Sequence, residues 1–567
     1  MINFDEVVQQ FHKFWCINPI TCTWLGISGK DHLLPDRSNE GKDNEIEEAN
    51  QIIENAKSID RSNLNFDQKL DLDLIELSMK NFIFYNTYTI NGKKRVQVMP
   101  NAGEYIGNAI NPLFTRDERD TETRLNLILS RLKSVNRFLR QSYERLNIPL
   151  KRWIEIELET CAGFPFLLDN IFKWAKASEY PKLEELRKAK WEAEDSMNDY
   201  MDKLEVIETT NKFAMGEEQT KEWIKLKGID LSLEELHQLA KDFLKENSKS
   251  IEELRKKLAP KYGLPEDASK ENVTRAIIEK YKLEIDEIIP RYKHEQAEIN
   301  SFIEENDLFI SPTNEKLVIE ATPKYLIPVI SMGANYEPKS FGGGVKKSIT
   351  YITVTEDHIE DQNSISIINT MIHEGKPGHH LHYSCAFSNP SIVRKHCENQ
   401  AKETLEGWST LMEEYMIDVG FVNKDIKDET LFLSKQELAR MGARVAIDLY
   451  FMTGNEKYLD VGLGIDVIGE NPFKKATFLL IRLTSFSEAR ALGEVNWYSQ
   501  IPGYPLSYLA GNYLVKQLKE EMREHMKGKL EGLELDRVFH KTFLNAGLMP
   551  VKFLRRVFEN ERLIEKA

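Results

Sequence analysis

Residues 371–383, MIHEGKPGHHLHY, crowd imidazoles and a carboxylate into a pattern that suits a metal ion. His373 and Glu374 open an H-E-x-x-H zinc-protease signature, but Pro377 stands where the second histidine belongs. His379, His380 and His382 follow, and with His396 five of the chain's twelve histidines fall in one short window. Histidines concentrated in this way are most often metal ligands. On a straight helix neither candidate partner fits. The six residues from His373 to His379 leave a net turn of ~240°, and the seven to His380 keep phase but separate the rings by about 10 Å along the axis. Pro377 removes a helical hydrogen bond and clashes with the carbonyl of His373, while Gly378 lets the backbone leave helical geometry cheaply. A two-residue bulge there returns His379 to the phase of the missing histidine, so His379 is expected as the second ligand ahead of His380.

A hydrolytic zinc needs a third protein ligand and one position left open for water. Glu406 is the natural third ligand, with Glu403, Glu413 and Glu414 as competitors. Its neighbours Gly407 and Trp408 point to close packing rather than a solvated face. Glu374, beside the first ligand, is placed to take a proton from the attacking water and pass it to the leaving amine. Two imidazoles and a carboxylate suit zinc best, one ion per chain.

The elements that must hold these groups are mainly helical. TETRLNLILSRLKSVNRFLRQSYERL and the charged stretches between about 182 and 303 carry apolar residues at three- and four-residue steps. Ser232 and Glu235 form an S-x-x-E capping box ahead of one of them. Residues 316–356 are the exception, rich in Val, Ile, Thr and Tyr and broken by Pro and Gly. One small β-sheet just upstream of the histidines is expected there, with Gly342–Gly344 as a loop between strands. Tyr336 and ITYITV offer an edge along which a peptide backbone could lie.

The chain has 567 residues, of which 41% are hydrophobic and 29% charged, with a net charge of −15. That charge argues against nucleic acid as a partner. No run of 18 or more apolar residues occurs, and MINFDEVVQQFHKFWC lacks a secretion pattern. These features lead to the expectation of a cytoplasmic protein with no membrane partner. Cys16, Cys22, Cys161, Cys385 and Cys397 lack C-x-x-C spacing and read as free thiols.

HEGKPGHHLH, followed by EGW, by ARMGARVAIDLY (439–450) and by PGYPLSYLAG (502–511), resembles the domain of unknown function 885 family. NPITCTWLGISGKDHLLPDRS (18–38) is similar to that family's opening segment, so the likeness spans nearly the whole chain. The family is grouped with gluzincin-type metallopeptidases. The resemblance implies a large, mainly α, gluzincin-like fold with the active site in a channel. It implies His373, His379 and Glu406 as ligands to zinc and Glu374 as base. Residues 1–300 would form one side of the channel and 301–567 the catalytic region, within one continuous fold. Tyr508 matches a family tyrosine that could donate to the oxyanion, with a core tyrosine as the alternative. Arg444 and Asp448 match an R-x-x-x-D segment; Asp448 reads as structural, and Arg444 stays open as a substrate-carboxylate contact. His380 and Tyr336 complete the expected substrate contacts. The chain departs from the family pattern at His382 and Tyr504, where glutamine is common, and at Leu411, where tyrosine is.

The function these features point to is a zinc-dependent peptidase acting on peptides or peptide-like amides. The alternative is a non-catalytic metal- or peptide-binding helical protein descended from such an enzyme.

Overall fold

A computed structural model describes residues 2–323, 326, 333–354 and 362–566. They form two compact units, one comprising Met1–Met215, Thr322–Gly344 and Ser391–His396, the other Gly216–Ala321, Val345–Pro390 and Cys397–Ala567.

The first unit is a helical assembly with a short antiparallel pair, Thr89–Ile90 against Lys93–Lys94. Its helices start on local signals. Asn3 opens Phe4–Trp15 and Asn65 opens Phe66–Thr87, each with a capping box in which the Asn side chain accepts from the third helical N–H. The periodic stretch beginning at Thr121 is two helices, Thr121–Leu132 and Val135–Glu144, rather than one. His396 belongs to this unit, where its Nε2 lies 2.9 Å from Nδ1 of His12. Tyr336 ends the strand Gly333–Tyr336 and is half-buried, 6.4 Å from the Trp24 ring. Gly342–Gly344 lie in loop, as expected.

The second unit carries the histidine–glutamate cluster. Helix α1 (Leu233–Lys261) opens on the Ser232–Glu235 capping box foreseen above. After α2 (Ile285–Glu305) come β1 (Glu315–Ala321) and β2 (Lys346–Ile352), paired in parallel from Glu315–Lys346 to Ala321–Ile352. The rest is helical: α3 (Ser364–Glu374), α4 (His379–Ser388), α5 (Lys402–Asp418), α6 (Lys427–Thr453), α7 (Glu488–Gln500) and α8 (Ser507–His525). Mainly helical architecture with small sheets is therefore the fold, as the periodicity predicts.

Two glycines set how closely α5 and α8 approach. A Cβ at Gly407 would lie 2.5 Å from the backbone of Gly511, and one at Gly511 would lie 2.0 Å from the carbonyl oxygen of Glu403. Both distances are far below contact, so no other residue fits either position without moving a helix. Trp408 fills the space beside this crossing, stacked on Phe543 at 4.7 Å and fully buried. Glu406, on the same turn, is carried into the interior with it.

Candidate metal centre

The helix that opens with Ser364 does not bulge past Pro377; it stops. Asn363 caps its start by accepting from Ser366 N–H at 2.9 Å, and Gly375 ends it, its N–H donating to Met371 O at 2.9 Å. The Lys376–Pro377 peptide is cis. A new helix then begins at His379. Sequence spacing foretold a two-residue bulge in one helix; the structure has two helices meeting at a corner. The carbonyl of Pro377, orphaned by the break, accepts from Trp408 Nε1–H at 2.9 Å, which ties the corner to α5.

The corner brings together His373 from the end of α3, His379 from the start of α4 and Glu406 from α5. One ligand atom from each lies within 4.8 Å of the others. Oε2 of Glu406 is 3.4 Å from His379 Nε2 and 3.8 Å from His373 Nε2, and the imidazoles stand nearly perpendicular. Tetrahedral zinc with bonds of ~2.0–2.1 Å has ligand–ligand edges of ~3.3 Å. The same Oε2 is buried and makes no hydrogen bond, a state a bound cation would relieve. The donor set suits such an ion, and the two edges at Glu406 lie within about 0.5 Å of the tetrahedral length.

Neighbouring carboxylate and hydroxyl groups orient the cluster. His373 Nδ1 lies 2.7 Å from Glu413 Oε1; a carboxylate only accepts, so the proton sits on Nδ1 and Nε2 faces Glu406. Tyr504 donates to Glu406 Oε1 at 2.9 Å and fixes the carboxylate's rotation. Burial alone would discourage charge on His373, yet its bond to Glu413 and the nearby Glu374 and Glu406 raise its pKa to about 9. Burial pushes Glu406 the other way from its neighbours, but His379, His373 and Tyr504 hold it down at about 2.

In the metal-free chain the His373 imidazole keeps its proton up to about 9, above its ordinary value of 6.5. Stability drawn from the His373–Glu413 pair is thus complete below the lower value and fades as pH rises through the upper one. Metal binding in that window must expel the proton, so affinity rises with pH. Calorimetry in buffers of different ionisation enthalpy is expected to report about one proton released per ion near pH 7.5. Proton-neutral binding there would contradict it.

The remaining residues singled out by sequence divide clearly. His380 is buried and committed elsewhere: Nδ1 to Ser348 Oγ at 2.7 Å and Nε2 to Glu315 Oε2 at 2.5 Å, which binds α4 to the strand pair. Successive residues on a helix point about 100° apart, so His379 and His380 cannot both face Glu406. Asp448 is structural, accepting from Gly503 N–H at 3.0 Å and Leu506 N–H at 3.1 Å, and thereby holds the turn that presents Tyr504 and Tyr508. Arg444 instead contacts Tyr498 and Glu494, and its guanidinium lies over the Tyr508 ring at 4.1 Å. Burial, with the Glu406 charge, keeps the Tyr508 hydroxyl protonated well above its usual range. Cys385 and Cys397 are buried free thiols outside the cluster. Glu403 is buried and accepts from Val551 N–H at 3.2 Å, and Glu414 pairs with Lys516. Tyr504 stands out in the sequence only as a departure from the family pattern; its hydrogen bond to Glu406 had no signal there.

Residues 19–558 match the family described as "Bacterial protein of unknown function (DUF885)". Two solved structures share the fold over its length. One is a "putative lipoprotein of unknown function" from Shewanella oneidensis, at TM-score 0.76 and 16% identity, with 98% of this chain and 100% of that chain covered. The other is a "putative lipoprotein" from Colwellia psychrerythraea, at TM-score 0.77 and 15% identity, covering 99% and 100%. No curated protein matches the chain.

These relatives correct three expectations. A cytoplasmic location and the absence of a membrane partner are withdrawn, because both fold relatives are described as lipoproteins. Among the described residues no helix is long and apolar enough to cross a membrane, and a lipid anchor requires no such helix. The labels gluzincin and metallopeptidase rested on resemblance, and neither relative is described as a peptidase.

Proposed function

The chain belongs to the DUF885 family, and from that premise we propose that it holds one zinc ion at His373, His379 and Glu406 and uses it to hydrolyse peptide bonds. The observation that carries the reading is the buried Glu406 Oε2, without a hydrogen bond and facing two imidazole nitrogens at 3.4 and 3.8 Å. Three protein ligands are the number of a catalytic zinc, since structural sites use four. When bound, the ion would acidify water and polarise the substrate carbonyl. Glu374 takes the proton of the attacking water as the carbon–oxygen bond forms, and delivers it to the amide nitrogen as the carbon–nitrogen bond breaks. Tyr508, kept protonated, donates to the carbonyl oxygen as negative charge develops there. Glu413 and Tyr504 hold His373 and Glu406 in their orientations.

The second reading is a protein that binds metal and peptide without turnover, favoured by fold relatives of which neither is described as an enzyme. Elemental analysis of untagged protein, with turnover of a blocked-peptide library, separates the two. About one zinc per chain is expected, removed by a chelator together with hydrolysis and restored with it on adding zinc back. His379→Ala should abolish the bound zinc and His380→Ala should retain it. Zinc without turnover would leave the binding protein; no zinc, even when offered in excess, would end both readings.

A further inference from the structure

Two arginines on α6, Arg440 and Arg444, share a single carboxylate. Arg444 Nη2 lies 3.1 Å from Glu494 Oε2, and Arg440 Nη1 lies 3.7 Å from Glu494 Oε1. Among the described residues no other carboxylate is within ion-pair distance of either guanidinium. One positive charge is therefore left over, on a chain whose net charge is −15. Its donors are also incompletely used. Nη1 of Arg444 and Nε of Arg440 are buried without hydrogen-bond partners, and the Arg444 side chain is only 4% exposed. Buried, unpaired guanidinium N–H groups are costly and are normally matched by an anion. The Arg440 side chain keeps 28% exposure, which gives an anion a way in.

The surplus charge stands next to the metal cluster. Arg444 covers the Tyr508 ring at 4.1 Å, Tyr508 packs on Tyr504 at 5.8 Å, and Tyr504 donates to the ligand Glu406. Trp497 flanks the same group, 5.6 Å from the Arg444 guanidinium and 5.2 Å from Tyr504, with 37% of its surface exposed. We propose that Arg440 and Arg444 recognise the free C-terminal carboxylate of a short peptide, with Trp497 receiving an apolar terminal side chain, so that hydrolysis falls near the carboxyl end. Planar guanidinium forks suit a carboxylate, and one shared counter-ion leaves capacity for a second. This substrate class rests on the hydrolytic reading above; the recognition itself does not.

The test compares blocked dipeptides ending in phenylalanine as the free acid and as the amide, with zinc-loaded protein, by turnover and by equilibrium binding. The acid is expected to be favoured by about 30-fold or more in kcat/KM, mainly through KM. Arg440→Gln should lower the acid-to-amide ratio by about tenfold or more, and Arg440→Lys should keep most of it. Equal handling of acid and amide, or a ratio untouched by Arg440→Gln, would overturn the proposal while leaving hydrolysis intact. Tighter binding of the acid by a protein that cleaves neither form would remove hydrolysis and uphold the carboxylate site. Neither turnover nor a binding preference would remove both.

Discussion

Replacing Glu374 by glutamine is expected to leave about one zinc per chain while lowering kcat/KM by about 10²–10⁴-fold. The amide has the shape of the carboxylate but cannot accept the water's proton at neutral pH. Glu374 lies outside the ligand cluster, at the last position of α3, so the ion's own contacts remain. Its charge is one of those that raise the His373 pKa, so losing it makes His373 easier to deprotonate, which offsets part of the attraction the ion loses, and zinc content should hold at saturating metal. The loss should therefore appear in kcat, with KM nearly unchanged, as for a group needed only in the transition state. Metal content by elemental analysis and steady-state kinetics on one peptide check both halves. Turnover within a few-fold of the parent would remove Glu374 from the mechanism.

Gly378→Ala should be the most damaging small substitution in the second unit. A Cβ there would lie 1.9 Å from the carbonyl oxygen of His373 and 2.4 Å from that of Ile372. Both atoms are backbone of the last turn of α3, so relief requires that turn to unwind, and it carries His373 and Glu374. On the other side, Gly378 O accepts from His382 N–H at 3.0 Å to begin α4. A loss of about 3 kcal/mol or more is expected in chemical denaturation. Zinc affinity should fall with it by about 10–100-fold, the range seen when groups that orient ligands are lost. Gly493→Ala is the control: a Cβ there meets nothing within 4 Å, and on helix α7 it should be neutral or stabilising by up to about 1 kcal/mol. Equal denaturation midpoints and equal affinities for Gly378→Ala and its parent would refute the claim that the corner positions the site.

Several parts of the architecture were legible because their causes lie within a few residues. The capping box at Ser232 and Glu235 is a local exchange of hydrogen bonds, and it forms where the sequence places it. Lys376-Pro377-Gly378 interrupts a helix for reasons internal to those residues. What spacing could not supply was the form of the interruption. A bulge keeps one continuing helix axis, whereas α3 and α4 are separate helices whose corner is held at Pro377 by Trp408, 31 positions away. His379, expected on spacing, does lie with His373 and Glu406, but across a corner between two helices rather than a bulge within one.

Compartment was not legible in the sequence, for a different reason. Net charge and the missing apolar run bear on spanning helices and on nucleic acid, and they carry no information on attachment by a lipid.

The sequence by itself determined a mainly helical chain, a break between two histidines, and a short list of groups with the chemistry of metal ligands, because each depends on backbone preferences and chemistry set within one or two turns. Only the tertiary structure decided which of them meet. Glu406 rather than Glu403, Glu413 or Glu414 faces the imidazoles because Gly407 and Gly511 let α5 and α8 touch with that side of α5 turned inward. Glu413, read as a rival ligand, became the partner of His373 Nδ1, and Tyr504, more than ninety residues from Glu406, became the donor that fixes its carboxylate. A carboxylate's role is set by which atoms converge on it from distant segments, and that convergence is a property of packing, which local pattern does not encode.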